Sequence, residues 1–222
     1  RTIVGLVPRD RGDILLKDQH LAPAVGDRNQ DQQSAIRMVF QNPSASLNPK
    51  LPIGYAITRS LRKFAGLSKQ ASRLRAAELL TAVGLDPEYL DRRPNQLSGG
   101  EQQRVALAGS FAGQADIIVA DEAVSALDVS VQAQVLNLLQ QHQHDLGTSY
   151  IFISHDLGVI KYVSDDILVL YAGHVAETGP AENVLNSPSH PYTEALLSAA
   201  PTTDPDATPT TIRLPGSVPS LR

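Results

Sequence analysis

An α/β fold with a mainly parallel sheet is predicted by three observations. Two short, continuous apolar runs, Ile117-Ile118-Val119-Ala120 and Tyr150-Ile151-Phe152-Ile153, read as strands covered on both faces. Helical stretches alternate with them, the order expected of parallel strands joined by crossovers. The 222 residues, 42% hydrophobic and 19% charged, suffice for one large α/β domain or a domain with a small subdomain.

Each element has its own local signal. Residues 1–7 read as the end of a helix broken by Pro8, and Gly12-Asp13-Ile14-Leu15-Leu16 as a short strand. Residues 17–34 are polar and carry few structural signals. Ile36-Arg37-Met38-Val39-Phe40 is a strand ended by Gln41-Asn42-Pro43. From about residue 52 to 96 the pattern has helical patches. Ser68 can cap a helix in which Ala76, Leu79, Leu80 and Val83 share one face, and Gly84 stops it. Another helix opens at Leu97-Ser98-Gly99-Gly100-Glu101, where Ser98 and Glu101 have capping-box spacing. Val105, Ala108 and Ala112 share its face, with Leu107 and Phe111 beside them. After the first apolar strand, Val131, Val135, Leu138 and Leu139 are expected to point inward from a helix that Gly147 ends. Past the second, Ile167 to Tyr171, a turn at Gly173 and a return from Val175 make the pattern of a hairpin. From Pro201 onward the sequence is rich in Pro, Thr and Asp and reads as a flexible tail.

Composition excludes several classes. With 19 Lys and Arg against 23 Asp and Glu, the net charge of -4 argues against binding nucleic acid through bulk charge. Without cysteine, neither disulfides nor thiolate metal sites can form. No apolar run approaches the roughly 20 residues that span a bilayer, so any membrane role is expected to be peripheral. The chain opens at Arg1 with no signal-peptide pattern behind it, and is expected to be a fragment or a processed product.

The chemistry gathers at the ends of the apolar segments. Ile117-Ile118-Val119-Ala120-Asp121-Glu122 is an apolar strand delivering two adjacent acids, the Walker B pattern. In an open α/β sheet this is where ligands bind. Asp121 can hold Mg²⁺, directly or through water, and Glu122 can orient and polarise an attacking water. Taken alone, a solvated acidic turn explains the pair equally well. Two glycines at the start of the Ser98 helix let a phosphate approach the backbone, where free N–H groups and the helix dipole favour an anion. A plain capped helix is the ordinary alternative. His155, after the second apolar strand, can reach a γ-phosphate, and Gln41, after an earlier one, can sense Mg²⁺ or water. As single residues both are more often bland. Ser125-Ala126-Leu127-Asp128 on its own is a turn capping the next helix.

Their order removes most of that ambiguity. Gln41, then Ser98 to Glu101, then Asp121-Glu122, then Ser125 to Asp128, then His155 resembles the nucleotide-binding domain of ATP-binding cassette (ABC) proteins, over nearly the whole chain. The resemblance implies a P-loop NTPase-type fold with an inserted helical subdomain. It divides the chain into an ATPase core in two parts, 1–41 and 114–200, a helical and signature subdomain over 42–113, and the tail over 201–222. It makes Glu122, His155 and Gln41 the catalytic group, Asp121 and Gln41 the Mg²⁺ contacts, and Ser98, Gly99, Gly100, Glu101 and Asp128 the residues that meet ATP held by a second domain. A narrower resemblance, to the dipeptide, oligopeptide and nickel importer branch, rests on Val39 to Pro49, Ser125 to Gln132, His190 to Leu197 and Gly216 to Ser220. The chain is similar to the second cassette of fused, two-cassette importers.

The implied function is an ATPase subunit powering import of peptides or a related small solute. A soluble non-transport ABC ATPase and a non-catalytic remnant are the competing readings. The implied partners are a second nucleotide-binding domain (identical, different or fused), transmembrane permease subunits and, indirectly, an extracytoplasmic solute-binding protein, with no nucleic acid. The implied location is the cytoplasmic face of the membrane. The sequence also departs from the family pattern. No Gly-x-x-x-x-Gly-Lys-Ser/Thr loop occurs in these 222 residues; in the family it directly precedes the helix to which Arg1-Thr2-Ile3-Val4-Gly5-Leu6 corresponds. The fragment alone is therefore expected to be inactive. Ala123 stands where proline usually follows the Walker B glutamate, and Ala108-Gly109-Ser110-Phe111 replaces Ala-Arg-Ala-Leu.

Overall fold

A computed structural model describes residues 1–113, 115–200 and 212, and divides the chain into two compact units, Arg1–Ile153 and a second beginning at Ser154. The first unit opens not with the expected helix but with a turn. Gly5, at φ 75°, leaves the helical region, and its N–H bonds the Thr2 carbonyl at 3.0 Å. The buried Arg28 holds this turn, donating from Nη2 to the Ile3 carbonyl and from Nε to the Ala22 carbonyl.

Next come β1 (Leu15–Leu16) and β2 (Gln19–His20), an antiparallel pair. The two turn residues, Lys17 and Asp18, both have positive φ, the conformation whose twist matches paired strands. Lys-Asp lacks the Asn-Gly signature of that turn, so β2 has no signal in the sequence. α1 (Gln30–Ala35) also falls in the stretch read as featureless; Asn29 caps it by accepting from the Gln32 N–H at 2.8 Å.

β3 (Ile36–Val39) follows without a break. Beyond it lie α2 (Ile53–Phe64), α3 (Lys69–Ala82) and α4 (Gly99–Phe111), which pack on one another, while α4 also packs against β3. The expected α3 signals hold: Ser68 caps it, Ala76, Leu79, Leu80 and Val83 are buried, and Gly84 sits at φ 71°. The apolar residues expected on one side of α4 are likewise buried.

β4 (Ile117–Asp121) lies between β3 and β5 (Ser149–Ile153), all parallel, with α5 (Val129–Leu146) as the crossover. Ile118, Val119 and Ala120 are buried, as a central strand requires. A core of Val4, Leu21, Ala35, Ile36 and Val119 forms here, with Ile14, Leu16 and Met38 against it. Two expectations need correction. β5 is not buried: alternate residues on one face are exposed, Ile151 37% and Ile153 47%, and among the described residues the strand pairs only with β4. On α5 the buried residues are Val135, Leu136 and Leu139, while Val131 and Leu138 are half-buried, so the inward stripe is rotated from the predicted one.

The second unit contains α6 (Leu157–Val163), the expected hairpin of β6 (Asp166–Tyr171) and β7 (His174–Pro180), α7 (Ala181–Asn186) and α8 (Pro191–Ser198). Ala172 and Gly173, both at positive φ, make the hairpin turn. The Glu177 carboxylate accepts from the N–H groups of Ser189 and His190, fixing the entry to α8 on β7. The tail from Pro201, Ile212 apart, and with it the Gly216 to Ser220 segment, lies outside the described residues.

Candidate active site

Parallel strands in register deliver the residues that follow them side by side. Val39 of β3 lies opposite Ala120 of β4, so Gln41 and Glu122 each come two residues later. There the Gln41 amide donates from Nε2 to Glu122 Oε2 at 2.6 Å, a charge-assisted bond. Asp121, half-buried, is the last residue of β4, opposite Ile153.

The backbone of Glu122 is held on both sides. Its N–H donates to the Ile153 carbonyl at 2.9 Å, and its carbonyl accepts from the Ser125 N–H and hydroxyl. Its φ of 48° is left-handed, a conformation costing a residue with a Cβ roughly 1–2 kcal/mol. Backbone strain at such a position points to a functional requirement. The buried Ala123 and Val124 anchor the turn beneath it.

Two carboxylates and the Gln41 carbonyl oxygen are hard oxygen donors, the type Mg²⁺ prefers. Among the described residues no three acids or histidines gather into a complete metal cage. Mg²⁺ is commonly held by one or two carboxylates, which these donors can supply without such a cage, together with phosphate oxygens and water. On these grounds the residues present fit Mg²⁺.

The start of α4 is a second cluster. Ser98 and Glu101 form the predicted capping box in both directions: Ser98 Oγ accepts from the Glu101 N–H, and Glu101 Oε2 from the Ser98 N–H at 2.7 Å. Tyr89, in the 3-10 turn Pro87–Asp91, donates its hydroxyl to Glu101 Oε1 at 2.9 Å. The Ser98 N–H and then the Tyr89 hydroxyl hold the Glu101 carboxyl below the usual carboxylate range, against the opposing effect of partial burial. Nothing in the sequence signalled Tyr89. The amides of Gly99 and Gly100, at the first two helical positions, have no carbonyl one turn back to bond. A Cβ on Gly99 would meet nothing within 4 Å, whereas one on Gly100 would touch the Ala126 carbonyl and Leu127 at ordinary distance. Internal packing therefore does not demand glycine here; the open space fits close approach by something outside the chain.

Asp128 caps α5. Its Oδ1 accepts from the Val131 N–H at 3.0 Å and the Ser130 hydroxyl at 2.7 Å, and these bonds, the first foremost, lower its carboxyl pKa. The structure thus brings together Gln41 with Glu122, and Ser98 with Glu101. His155 belongs to the second unit, just before Asp156, which caps α6.

Comparison with known proteins bears on this arrangement. Residues 1–125 match the family described as ABC transporter, and residues 176–222 the family described as oligopeptide/dipeptide transporter, C-terminal region. The chain is 44% identical over 209 residues to the di/tripeptide transport ATP-binding protein DppF of Pseudomonas aeruginosa, covering 94% of this chain and 65% of that protein. It is 45% identical over 207 residues to the oligopeptide transport ATP-binding protein OppF of Salmonella typhimurium, covering 93% and 62%. The chain thus spans less than two thirds of the length of these relatives. Among solved structures it resembles the dimeric, ADP- and phosphate-bound post-hydrolysis state of the ATP-binding cassette MJ0796, with a TM-score of 0.71, 28% identity, and coverage of 81% of this chain and 77% of that one.

Proposed function

The chain belongs to the ABC transporter family, and from that premise we propose that it is the ATP-binding and hydrolysing subunit of an importer of peptides or related small solutes. The observation that carries the proposal is the Gln41–Glu122 hydrogen bond at two adjacent parallel strand ends. Glu122 is the general base that orients and polarises the attacking water. Gln41 bonds one of its carboxylate oxygens and so fixes how the carboxylate is turned. Asp121, with the Gln41 side-chain carbonyl, would hold Mg²⁺, which when bound would offset the charge of the phosphates. His155 is assigned the γ-phosphate by its place in the sequence pattern.

Ser98, Gly99, Gly100, Glu101 and Asp128 serve the nucleotide held by a second domain. The open space at Gly99 supports this, as does the dimeric, nucleotide-bound state of the MJ0796 cassette. Residues 1–41 and 114–200 form the ATPase core in this reading, and 42–113 the helical and signature subdomain. The partners are a second nucleotide-binding domain, permease subunits and, through them, a solute-binding protein, at the cytoplasmic face of the membrane. The peptide-transport names of the relatives support the solute class. No helix among the described residues is long and apolar enough to cross a membrane. A 470 Å³ cleft lined by Leu47, Leu51, Tyr55, Arg59, Lys63 and Phe64, among others, offers the permease subunits an apolar and basic seat.

The test is reconstitution of the full-length protein with its membrane subunits in vesicles. ATP-dependent peptide accumulation is expected. Hydrolysis without peptide-stimulated turnover or uptake would move the protein to the non-transport reading.

A further inference from the structure

We infer that Gln103 is a positioning residue that ties the helix carrying Ser98 and its glycines to the Gln41–Glu122 pair. The inference rests on the assignment of hydrolysis to that pair. α4 packs against β3 and against the 3-10 turn Pro43–Ala45, the segments that flank Gln41 on either side. Most of the α4 side chains buried around this region are apolar: Val105, Leu107, Ala108 and Phe111. Two are polar: Ser110, whose hydroxyl bonds the Leu107 carbonyl of its own helix, and Gln103, which is 0% exposed and bonds outside the helix. Its Nε2 donates to the carbonyl of Phe40 at 3.2 Å. Its Oε1 is buried with no hydrogen-bond partner among the described residues.

A buried amide satisfied at one end is a poor choice for stability, because an apolar side chain of the same length avoids the unmet acceptor. What glutamine adds is a directional bond to a particular peptide unit. The Phe40 carbonyl and the Gln41 N–H belong to one planar peptide group. Fixing that oxygen fixes the plane from which the Gln41 side chain departs toward Glu122. The linkage therefore runs from the Ser98 cap along α4 to Gln103, through the Phe40–Gln41 peptide, and on to the 2.6 Å bond that holds the carboxylate. When a nucleotide on the partner engages Ser98 and Gly99, a movement of α4 turns that peptide and with it the carboxylate. The water-orienting geometry thereby depends on engagement of the partner.

The experiment uses the full-length protein assembled with its membrane and nucleotide-binding partners. Gln103→Met keeps the length and removes the donor; Gln103→Leu serves as a second replacement. Either variant is expected to lower kcat for ATP roughly tenfold, with KM within about twofold of the parent, since small misplacements at a reacting centre fall on the chemical step. A purely structural role would instead lower the yield of assembled complex and leave kcat per complex unchanged. In a Gln41→Ala background, Gln103→Met should lower kcat no further, because the two act in series. Full additivity of the two effects, an unchanged kcat, or failure of both variants to assemble would each overturn the assignment. Glu122→Gln, measured alongside, separates the two levels. If its turnover stays within a few-fold of the parent, the assignment of hydrolysis to the pair is wrong. If its turnover falls as expected, and Gln103→Met hydrolyses ATP at the parental rate, only the role of Gln103 fails.

Discussion

Gln41 and Glu122 lie 81 residues apart and meet at 2.6 Å, an amide donor on a carboxylate whose own backbone is bonded on both sides. The bond fixes one carboxylate oxygen of Glu122 and so restricts how the carboxylate can turn. The acid that follows the central strand β4 is thereby held in one orientation.

Glu122→Gln removes the base and keeps the shape. In the full-length protein, turnover is expected to fall about 10²-fold or more, the scale of general-base loss, while nucleotide binding persists. Steady-state hydrolysis together with equilibrium binding of labelled ATP checks both halves. Turnover within a few-fold of the parent would remove the proposed role.

Two helical glycines are expected to respond oppositely to alanine. On α2, a Cβ at Gly54 would sit 2.7 Å from the Leu90 carbonyl oxygen and 3.0 Å from its Cδ2. Backbone cannot yield as a side chain tip does, so Gly54→Ala should destabilise by about 1–3 kcal/mol despite its better helix propensity. At Gly109 on α4 a Cβ meets nothing within 4 Å. Gly109→Ala should therefore stabilise by about 0.5–1 kcal/mol. Denaturant midpoints of the two variants decide it, and shifts of the same sign would contradict this packing.

Acid should loosen the first unit through His142. The ring lies on α5, its centroid 4.6 Å from that of Phe111, with Nδ1 3.0 Å from the Tyr150 hydroxyl and Nε2 buried without a partner among the described residues. Burial, and then the charge of Arg75, hold its pKa below the ordinary value of 6.5, while Asp145 pulls the other way. Burial also raises the Tyr150 pKa, so that its hydroxyl stays protonated. Because the folded pKa is depressed, the unfolded chain binds more protons as pH falls. The contribution is full above the unfolded pKa and is lost as pH drops through it toward the folded value. The thermal midpoint should decline from about pH 7.5 to about pH 5.5, and His142→Leu should flatten that slope. Equal slopes would assign the effect to other groups.

The cleft beside α2 is expected to matter for coupling more than for chemistry. Arg59 lines it, with Lys63 and the 51%-exposed Tyr55 nearby. Arg59→Glu reverses one charge on this surface, which should weaken docking of a complementary partner. Peptide uptake should fall roughly tenfold more than basal ATP hydrolysis, and crosslinks from Tyr55→Cys to a permease subunit should change with ATP. Parallel losses of uptake and hydrolysis would tell against a docking role.

Much of the site could be read from the sequence because its signals are local. An apolar run ending in Asp121-Glu122, the Ser98–Glu101 spacing and the caps Ser68 and Asp128 each involve a few consecutive residues. Their physics acts over one turn or one strand, and the structure has each of these caps in place. Failures arose where a local signal was missing or ambiguous. Lys17-Asp18 turns without the usual residues, and residues 1–7 have a helical composition that Gly5 breaks.

What the sequence by itself determined is which residues end strands and begin helices, since periodicity and capping are properties of neighbours along the chain. Tertiary structure alone decided what those ends meet. Strand pairing set Gln41 beside Glu122 and, among the described residues, left β5 beside β4 alone, and packing brought Tyr89 to Glu101 and the Gln103 amide to Phe40. The left-handed turn at Glu122 belongs to the same level, fixed by bonds to Ile153 on the next strand and Ser125 in the turn. Such contacts depend on register and burial across many tens of residues, and no single residue type encodes a partner that distant.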